Sequence, residues 1–347
     1  MKATKPLSAK RQRLGEAAVL GPIVENATST GIRRSGVHLG LGDDAALWKS
    51  RPGHLTILTC DWFLEGTHFL RDKHPADAVG WKCLARAVSD VAAMGGVPRC
   101  FLLSLALPAS HTGLWLEQFL GGLRRAAKRF GCELAGGDTT RRKDILINVT
   151  VVGEVREGEA ALRSGARPGD VLFVSGRLGE AELGLRLLRK SKRRPNRLDP
   201  VVRKHLYPEP RFALGYWLAE MRLASAMMDL SDGLSTDLPR LCAASGVGAR
   251  ICAAWIPAVR MANHPGTSCS GRGEENAPVL ALHGGDDYEL LFAVPQRKWK
   301  QVPHSFQGVP ITTIGEITNE RALLLIDAAG HETPLPNRGW DPFRSRR

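Results

Sequence analysis

The chain has 347 residues, enough for two domains or one large one, and its 43% hydrophobic content is ordinary for a globular protein with a sizeable core. A net charge of +13 raises nucleic-acid binding, but the densest basic runs (RKSKRRPNR at 189–197, RRAAKR at 124–129 and the terminal RSRR) lack interleaved aromatics and read as solvated faces. Seven scattered cysteines form no C-x-x-C pair, which speaks against a zinc site or disulfide framework and fits a reducing cytoplasm.

The first segment, MKATKPLSAKRQRLGE, is basic with no apolar stretch behind it, which predicts a solvated tail and no secretory signal. No apolar run approaches a membrane span. LTILTCDWFLEGTHF (55–69) starts β-rich and turns polar, predicting a strand that ends near Asp61. In WKCLARAVSDVAAMGG (81–96), Trp81, Leu84, Ala85, Val88, Val91 and Ala92 recur at helical spacing, and Gly95-Gly96 is a stop signal. CFLLSLALP (100–108) predicts a strand and LWLEQFLGGLRRAAKRFG (114–131) a second amphipathic helix. CELAGGDTT reads as strand then turn, and DILINVTVVGEV (144–155) as strand again.

The charged, glycine-rich REGEAALRSGARPGD (156–170) marks a domain boundary near residue 155, giving domains 1–155 and 156–347. Beyond it VLFVSG predicts a strand, EAELGLRLLRK (180–190) a helix, ASAMMDLS a strand and LPRLCAASG a helix. Proline is tolerated only in a helix's first turn, so Pro239 leaves the start of that last helix open. ANHPGTSCSGRGEENAP (262–278) reads as a long polar loop, and YELLFAV (288–294) and ALLLIDAAG (322–330) as further strands. Strands alternating with helices in both halves predict layered α/β or α+β architecture.

Four stretches gather carboxylates at glycines: LGLGDDAAL (39–47), AGGDTT (135–140), MDLSDGLSTDL (227–237) and HGGDDYELLF (283–292). Two carboxylates at ~4 Å repel by about 4 kcal/mol at an effective dielectric of 20, so such clusters need cations. No His/Cys set lies nearby, which points to a hard, oxygen-loving ion such as Mg²⁺, with phosphates filling its other positions. Each motif also has a plain structural reading. A lone GDD is most often a turn, Asp232 can serve as a helix N-cap, and Asp90 as a solvated helix residue. Asp90 does lie one position off the apolar stripe, as a residue at a pocket edge would. His68 taken alone reads as structural. No P-loop, dinucleotide-binding fingerprint or nucleophile elbow is present.

Taken in order, GLGDDAAL, TCDWFLEGTHF, WKCLARAVSDVAAMGG, GGDTTR, RSGARPGD, YPEPR, MDLSDGLSTDL, GGDDYELLF and GWDPF resemble the thiamine-monophosphate kinase family over about residues 14–343. The family belongs to a group of ATP-using enzymes with aminoimidazole ribonucleotide synthetase, selenophosphate synthetase and a hydrogenase-maturation dehydratase. The resemblance implies an N-terminal α/β domain that dimerises through its sheet and a C-terminal α+β domain. It implies that Asp44, Thr59, Asp61, Asp90 and Asp138 bind several Mg²⁺ ions, with Asp229 and Asp232 adding ligands from the second domain. Gly137, Asp138, Arg163 and Ser231 would contact ATP. His68, Asp286 and Trp340 would contact thiamine monophosphate, the tryptophan by stacking on its cationic ring system.

Two positions depart from the family pattern. Cys60 stands beside Asp61 where Thr or Ser is usual, and a thiol is a poor Mg²⁺ ligand, so a contact there would use the backbone carbonyl. Asp286 stands where Glu is frequent, one methylene shorter. The implied reaction passes the γ-phosphoryl group of ATP directly to the acceptor phosphate, with no side-chain nucleophile. A sister enzyme of the group and a basic nucleic-acid-binding scaffold are the alternatives. Residues 1–42 contain no cysteine, which argues against selenophosphate synthetase.

Overall fold

In the computed structural model, which describes residues 21–23, 36–41, 44–191, 199–260 and 277–343, the strands fall into two main sheets, each with its own core. Strands β1 (Val37–Leu39) and β2 (Leu47–Trp48) form a separate antiparallel pair. Next come β3 (His54–Leu64), helix α1 (Ala76–Ala93), β4 (Val97–Leu107), helix α2 (Leu114–Phe130), β5 (Glu133–Arg141) and β6 (Leu146–Arg156). The four strands order as β3-β6-β4-β5, and only β4 and β5, joined through α2, run parallel.

Both helices lie on one face of this sheet. Leu84, Val88 and Val91 of α1 and Phe119 and Leu123 of α2 pack with Phe63, Phe101, Ile147, Val149 and Val151. The helices cross closely because glycine occupies each contact: a Cβ on Gly80 would stand 2.0 Å from the Phe119 carbonyl oxygen, and one on Gly122 would stand 1.9 Å from that of Asp77. On the other face Leu58 and Trp62 are exposed (71% and 56%), with Cys60 between them and Leu102 nearby on β4.

The second half runs β7 (Val171–Ser175), α3 (Glu180–Lys190), α4 (Pro200–Leu206), α5 (Phe212–Glu220), β8 (Ala226–Leu230), α6 (Leu234–Ser245), β9 (Gly248–Cys252) and α7 (Ala277–His283). It continues with β10 (Glu289–Val294), β11 (Ser305–Phe306), β12 (Val309–Thr318), β13 (Leu323–Ile326) and β14 (Glu332–Pro334). Their sheet orders as β14-β13-β9-β12-β7-β10-β8, with β11 paired to β12. Strands β8 and β10 are buried on both faces, so they read as continuous apolar runs. Met228, Leu230 and Leu291 pack toward α6; Met227, Leu290 and Phe292 pack toward α5. Ala93 of α1 joins that second core, so α1 is the element shared by both halves.

The sequence-based boundaries differ from the structure in four places. β3 passes through Asp61 to Leu64 because Phe63 is buried in the core and keeps the strand paired with β6. AGGD lies inside β5, where Gly136, Gly137 and Asp138 stay in register with Leu102, Leu103 and Ser104 of β4. Helix α1 begins at Ala76, ahead of the Trp81 where the apolar spacing becomes legible. Helix α6 begins at Leu234, so Pro239 sits sixth, past the first turn; burial of Leu234, Leu238 and Leu241 holds the helix despite the lost backbone donor. The basic tail, most of the 189–197 run and nearly all of the 262–278 loop lie outside the described residues. Among the described residues no helix is long and apolar enough to cross a membrane.

Candidate active site

Lys82, Arg86, Ser89 and Asp90 follow each other on α1 at intervals of four, three and one, which puts them along one side of the helix. Asp90 Oδ2 accepts a hydrogen bond from Thr59 Oγ1 of β3. Ser89 Oγ donates to Asp229 Oδ2 near the end of β8 at 2.7 Å. Arg86 lies 3.9 Å from Asp61 Oδ2, and its Nη1 donates to Asp286 Oδ1 at 3.1 Å and Tyr288 Oη at 3.0 Å. Lys82 Nζ donates to Asp286 Oδ2 at 2.9 Å. One helix thus ties β3 to β8 and to the loop before β10.

Alternation along β3 puts Thr59 and Asp61 on the helix-covered face. Cys60 points the opposite way, where its thiol meets Asn148 Oδ1 at 3.3 Å, so its side chain is turned from Asp61. The loop after β8 carries Ser231, Asp232 and Gly233. Asp232 does not cap α6: the N-cap is Gly233, with φ 100°, and the Asp232 carboxylate pairs with Arg240 Nη1 at 2.6 Å. Its amide donates to Asp237 Oδ2 at 2.9 Å. The 283–288 loop docks beside it, with the Asp286 amide donating to the Ser231 carbonyl at 2.8 Å. From the C-terminal side, the Trp340 amide donates to the Asp232 carbonyl at 2.8 Å, and its ring centroid lies 6.5 Å from that of His68. His68 Nδ1 accepts from the Leu64 amide at 3.0 Å.

Acidic groups contributed by the two halves repel one another here. Burial raises the Asp61 carboxyl; Arg86 opposes that, and Asp90, Asp232 and Asp286 add to it. Asp229 is pushed up to about 8 by burial and then by Asp90, against the hydrogen bond from Ser89. Asp237 is pushed up to about 7 by burial and then by Asp232. Burial, and then Arg86, lower the His68 imidazole to about 4, so it is neutral near pH 7. Burial acts to raise Asp286 too, but Lys82 and Arg86 outweigh it and hold the carboxyl well below its usual range.

Among the described residues, no three carboxylate, imidazole or thiol side chains are arranged around one point as metal ligands. The side chains of Thr59, Asp61, Asp90, Asp229 and Asp232 nonetheless offer only hydroxyl and carboxylate oxygens as ligands, and although Arg86 and Arg240 each neutralise part of the charge, the repulsion left at Asp61 and Asp229 is what a hard divalent cation relieves. That set fits Mg²⁺ and not a thiophilic metal.

The remaining expected residues lie apart. Asp44 is exposed in the bend before β2, and Arg163 is exposed between β6 and β7, where its carbonyl accepts from Ser245 Oγ at 3.0 Å. Asp138 is exposed on β5, in the row that runs through Ser104 and Asn148 to Trp62 on the open face. Asp61 and Asp138 therefore sit on opposite faces and on opposite edge strands, about 14 Å apart at the spacing of three strand steps. Gly137 is needed where it stands, because a Cβ there would lie 1.9 Å from the Leu103 carbonyl oxygen.

Sequence reasoning overlooked Lys82, Arg86, Ser89, His74, His205 and Tyr288. The polar stripe in WKCLARAVSD was the available signal for the first three, since a charged residue interrupts an otherwise apolar helix at one-turn intervals. His74 and His205 are 131 residues apart and carry no such signal.

Comparison with known proteins identifies the family. The family patterns described as AIR synthase related protein, N-terminal domain and C-terminal domain, match residues 42–155 and 167–327. The thiamine-monophosphate kinase of Bacillus subtilis (strain 168) is 33% identical over 93% of this chain and 98% of its own. The crystal structure of thiamine-monophosphate kinase from Stenotrophomonas maltophilia K279a is 33% identical, covers 92% of this chain and 98% of that one, and superposes with a TM-score of 0.77. The structure of AaThiL complexed with AMPPCP and TMP is 32% identical, covers 99% of this chain and all of that one, and superposes with a TM-score of 0.73. The chain belongs to the AIR synthase related family and, within it, to the thiamine-monophosphate kinases.

Proposed function

We infer that the protein transfers the γ-phosphoryl group of ATP to thiamine monophosphate, yielding thiamine diphosphate and ADP. The observation that carries this reading is the meeting of Asp61, Asp90, Asp229 and Asp232 from the two halves beside the His68–Trp340 pair, where burial and the neighbouring carboxylates raise Asp61 and Asp229. Thr59, Asp61 and Asp90 from one half and Asp229 and Asp232 from the other would hold Mg²⁺, with Asp44 and Asp138 as further ligands and Cys60 limited to its backbone carbonyl. Bound Mg²⁺ supplies charge neutralisation and alignment of the two anionic reactants.

The protein's own groups do the positioning. Ser231, Arg163 and the Gly137–Asp138 backbone would contact the nucleotide. Trp340 and the neutral imidazole of His68 offer stacking surface to the thiazolium and pyrimidine rings. The acceptor phosphate is already largely ionised near pH 7, its second pKa being about 6, so no strong general base is required.

A homodimer completes this reading, with the division between domains taken near residue 155. The exposed Leu58, Trp62 and Leu102 on the open sheet face are apolar surface for a second copy. Packing two such faces together would bring Asp138 of one protomer toward the β3 edge of the other. Cytoplasmic residence is part of this reading, supported by the ATP-dependent chemistry and by the free thiols of the cysteines among the described residues.

The test is incubation of the purified protein with ATP, Mg²⁺ and thiamine monophosphate, with thiamine diphosphate read by chromatography and an EDTA control. Metal-dependent thiamine diphosphate is the expected result. ATP hydrolysis only with selenide or formylglycinamidine ribonucleotide would point to a sister enzyme. Salt-sensitive nucleic-acid binding with no ATP turnover would point to a scaffold.

A further inference from the structure

Asp286 is held by protein groups on three sides. Oδ2 accepts from Lys82 Nζ at 2.9 Å, and Oδ1 accepts from Arg86 Nη1 at 3.1 Å and from Tyr288 Oη at 2.6 Å. Its φ of 66° is in the left-handed region, which a residue with a Cβ adopts only when its surroundings impose it. What imposes it is these three hydrogen bonds and the one that the Asp286 amide donates to the Ser231 carbonyl.

Lys82 is itself 1% exposed. Its Nζ lies 3.2 Å from His205 Nδ1, and His205 Nε2 lies 3.0 Å from His74 Nε2. Both imidazoles are buried; burial, and then Lys82, push their pKa values far below the usual range. They remain neutral, so they brace the ammonium without repelling it.

A carboxylate offers about four acceptor positions, and three are filled here. Lys82 and Arg86 also compensate its charge, so Asp286 is a poor counter-ion for a thiazolium. What it retains is one acceptor position on Oδ2, in a side chain still 22% exposed. Thiamine monophosphate carries one neutral group that suits a single fixed acceptor: the exocyclic amine of its aminopyrimidine.

We propose that Lys82, braced by His205 and His74, is a positioning residue that presents one Asp286 oxygen to the pyrimidine amine and thereby sets substrate selection, apart from phosphoryl transfer. This rests on the kinase reading above. The test compares thiamine monophosphate with oxythiamine monophosphate, in which a carbonyl replaces that amine, as substrates for the wild type and Lys82→Met. The wild type should prefer the amine by at least tenfold in kcat/KM. Lys82→Met should raise KM for thiamine monophosphate about tenfold, as loss of a charged hydrogen bond does, with kcat and the KM for ATP within threefold. The preference for the amine should shrink below threefold, and Lys82→Arg should recover part of it.

If Lys82→Met does not fold, Tyr288→Phe removes one bond to Asp286 without stranding a charge, and should raise the same KM about three- to tenfold with the same loss of preference. A folded variant with unchanged KM and unchanged preference overturns the proposal, as does a loss shared equally by ATP. A wild type inactive on thiamine monophosphate would instead overturn the kinase reading, before any variant is made.

Discussion

Replacing Glu289 by Gln should destabilise the protein by about 3 kcal/mol at pH 7. The side chain is fully enclosed at the start of β10. It accepts from Lys204 Nζ at 2.5 Å, Arg211 Nε at 2.6 Å and Ser175 Oγ at 2.6 Å. The two cations are only 15% and 18% exposed, so solvent screens the cluster little. Burial acts to raise the Glu289 carboxyl, but Lys204 and Arg211 outweigh it and hold it at about 2, against an ordinary 4.5. That gap corresponds to about 3 kcal/mol of stability. Breaking a buried pair and stranding its cations costs a similar amount, about 3–5 kcal/mol.

The sign follows from the direction of the shift. A depressed carboxyl contributes its stability above pH 4.5 and loses it as the pH falls through about 2. Urea unfolding, followed by tryptophan fluorescence and far-UV circular dichroism, should therefore separate wild type from Glu289→Gln at pH 7. The gap should narrow steadily below pH 4. Equal midpoints at pH 7, or a gap that persists unchanged at low pH, would refute the reasoning. Glu289 lies three residues from Asp286, so the folded variant should also bind thiamine monophosphate more weakly.

Asp90→Asn and Asp229→Asn should each lower kcat at least a hundredfold while leaving the far-UV spectrum intact, and near-normal turnover in either folded variant would count against the metal role. Gly137→Ala forces a Cβ to within 1.9 Å of the Leu103 carbonyl oxygen, so strands β4 and β5 must part; a loss of about 1–3 kcal/mol is expected, visible as a lower melting temperature. Trp340→Ala should raise KM for thiamine monophosphate about tenfold, the worth of one cation–π contact, and leave the KM for ATP unchanged; steady-state kinetics with each substrate varied decides it.

Local chemistry made much of this protein legible in one dimension. Apolar spacing marks α1 and α2, because a helix buries one stripe. The four glycine-linked acidic stretches are legible as charge-crowded segments, because neighbouring carboxylates repel. The boundaries that failed did so where tertiary packing overrode a local signal: Phe63 pulls β3 past Asp61, and the core under α6 absorbs Pro239 at its sixth position.

Only the tertiary structure decided which carboxylates meet. Asp61, Asp90 and Asp229 come from two sheets and the helix between them, whereas Asp138, in a motif of equal strength, ends on the opposite sheet face. It also turned Asp286 from a free carboxylate into one enclosed by Lys82, Arg86 and Tyr288. Lys82 and Asp286 are 204 residues apart, and no periodicity links them. Sequence determines which side chains can carry charge and which stretches fold as helix or strand, because those are short-range properties. Which charges neutralise one another depends on distances set by the packing of α1 between two cores.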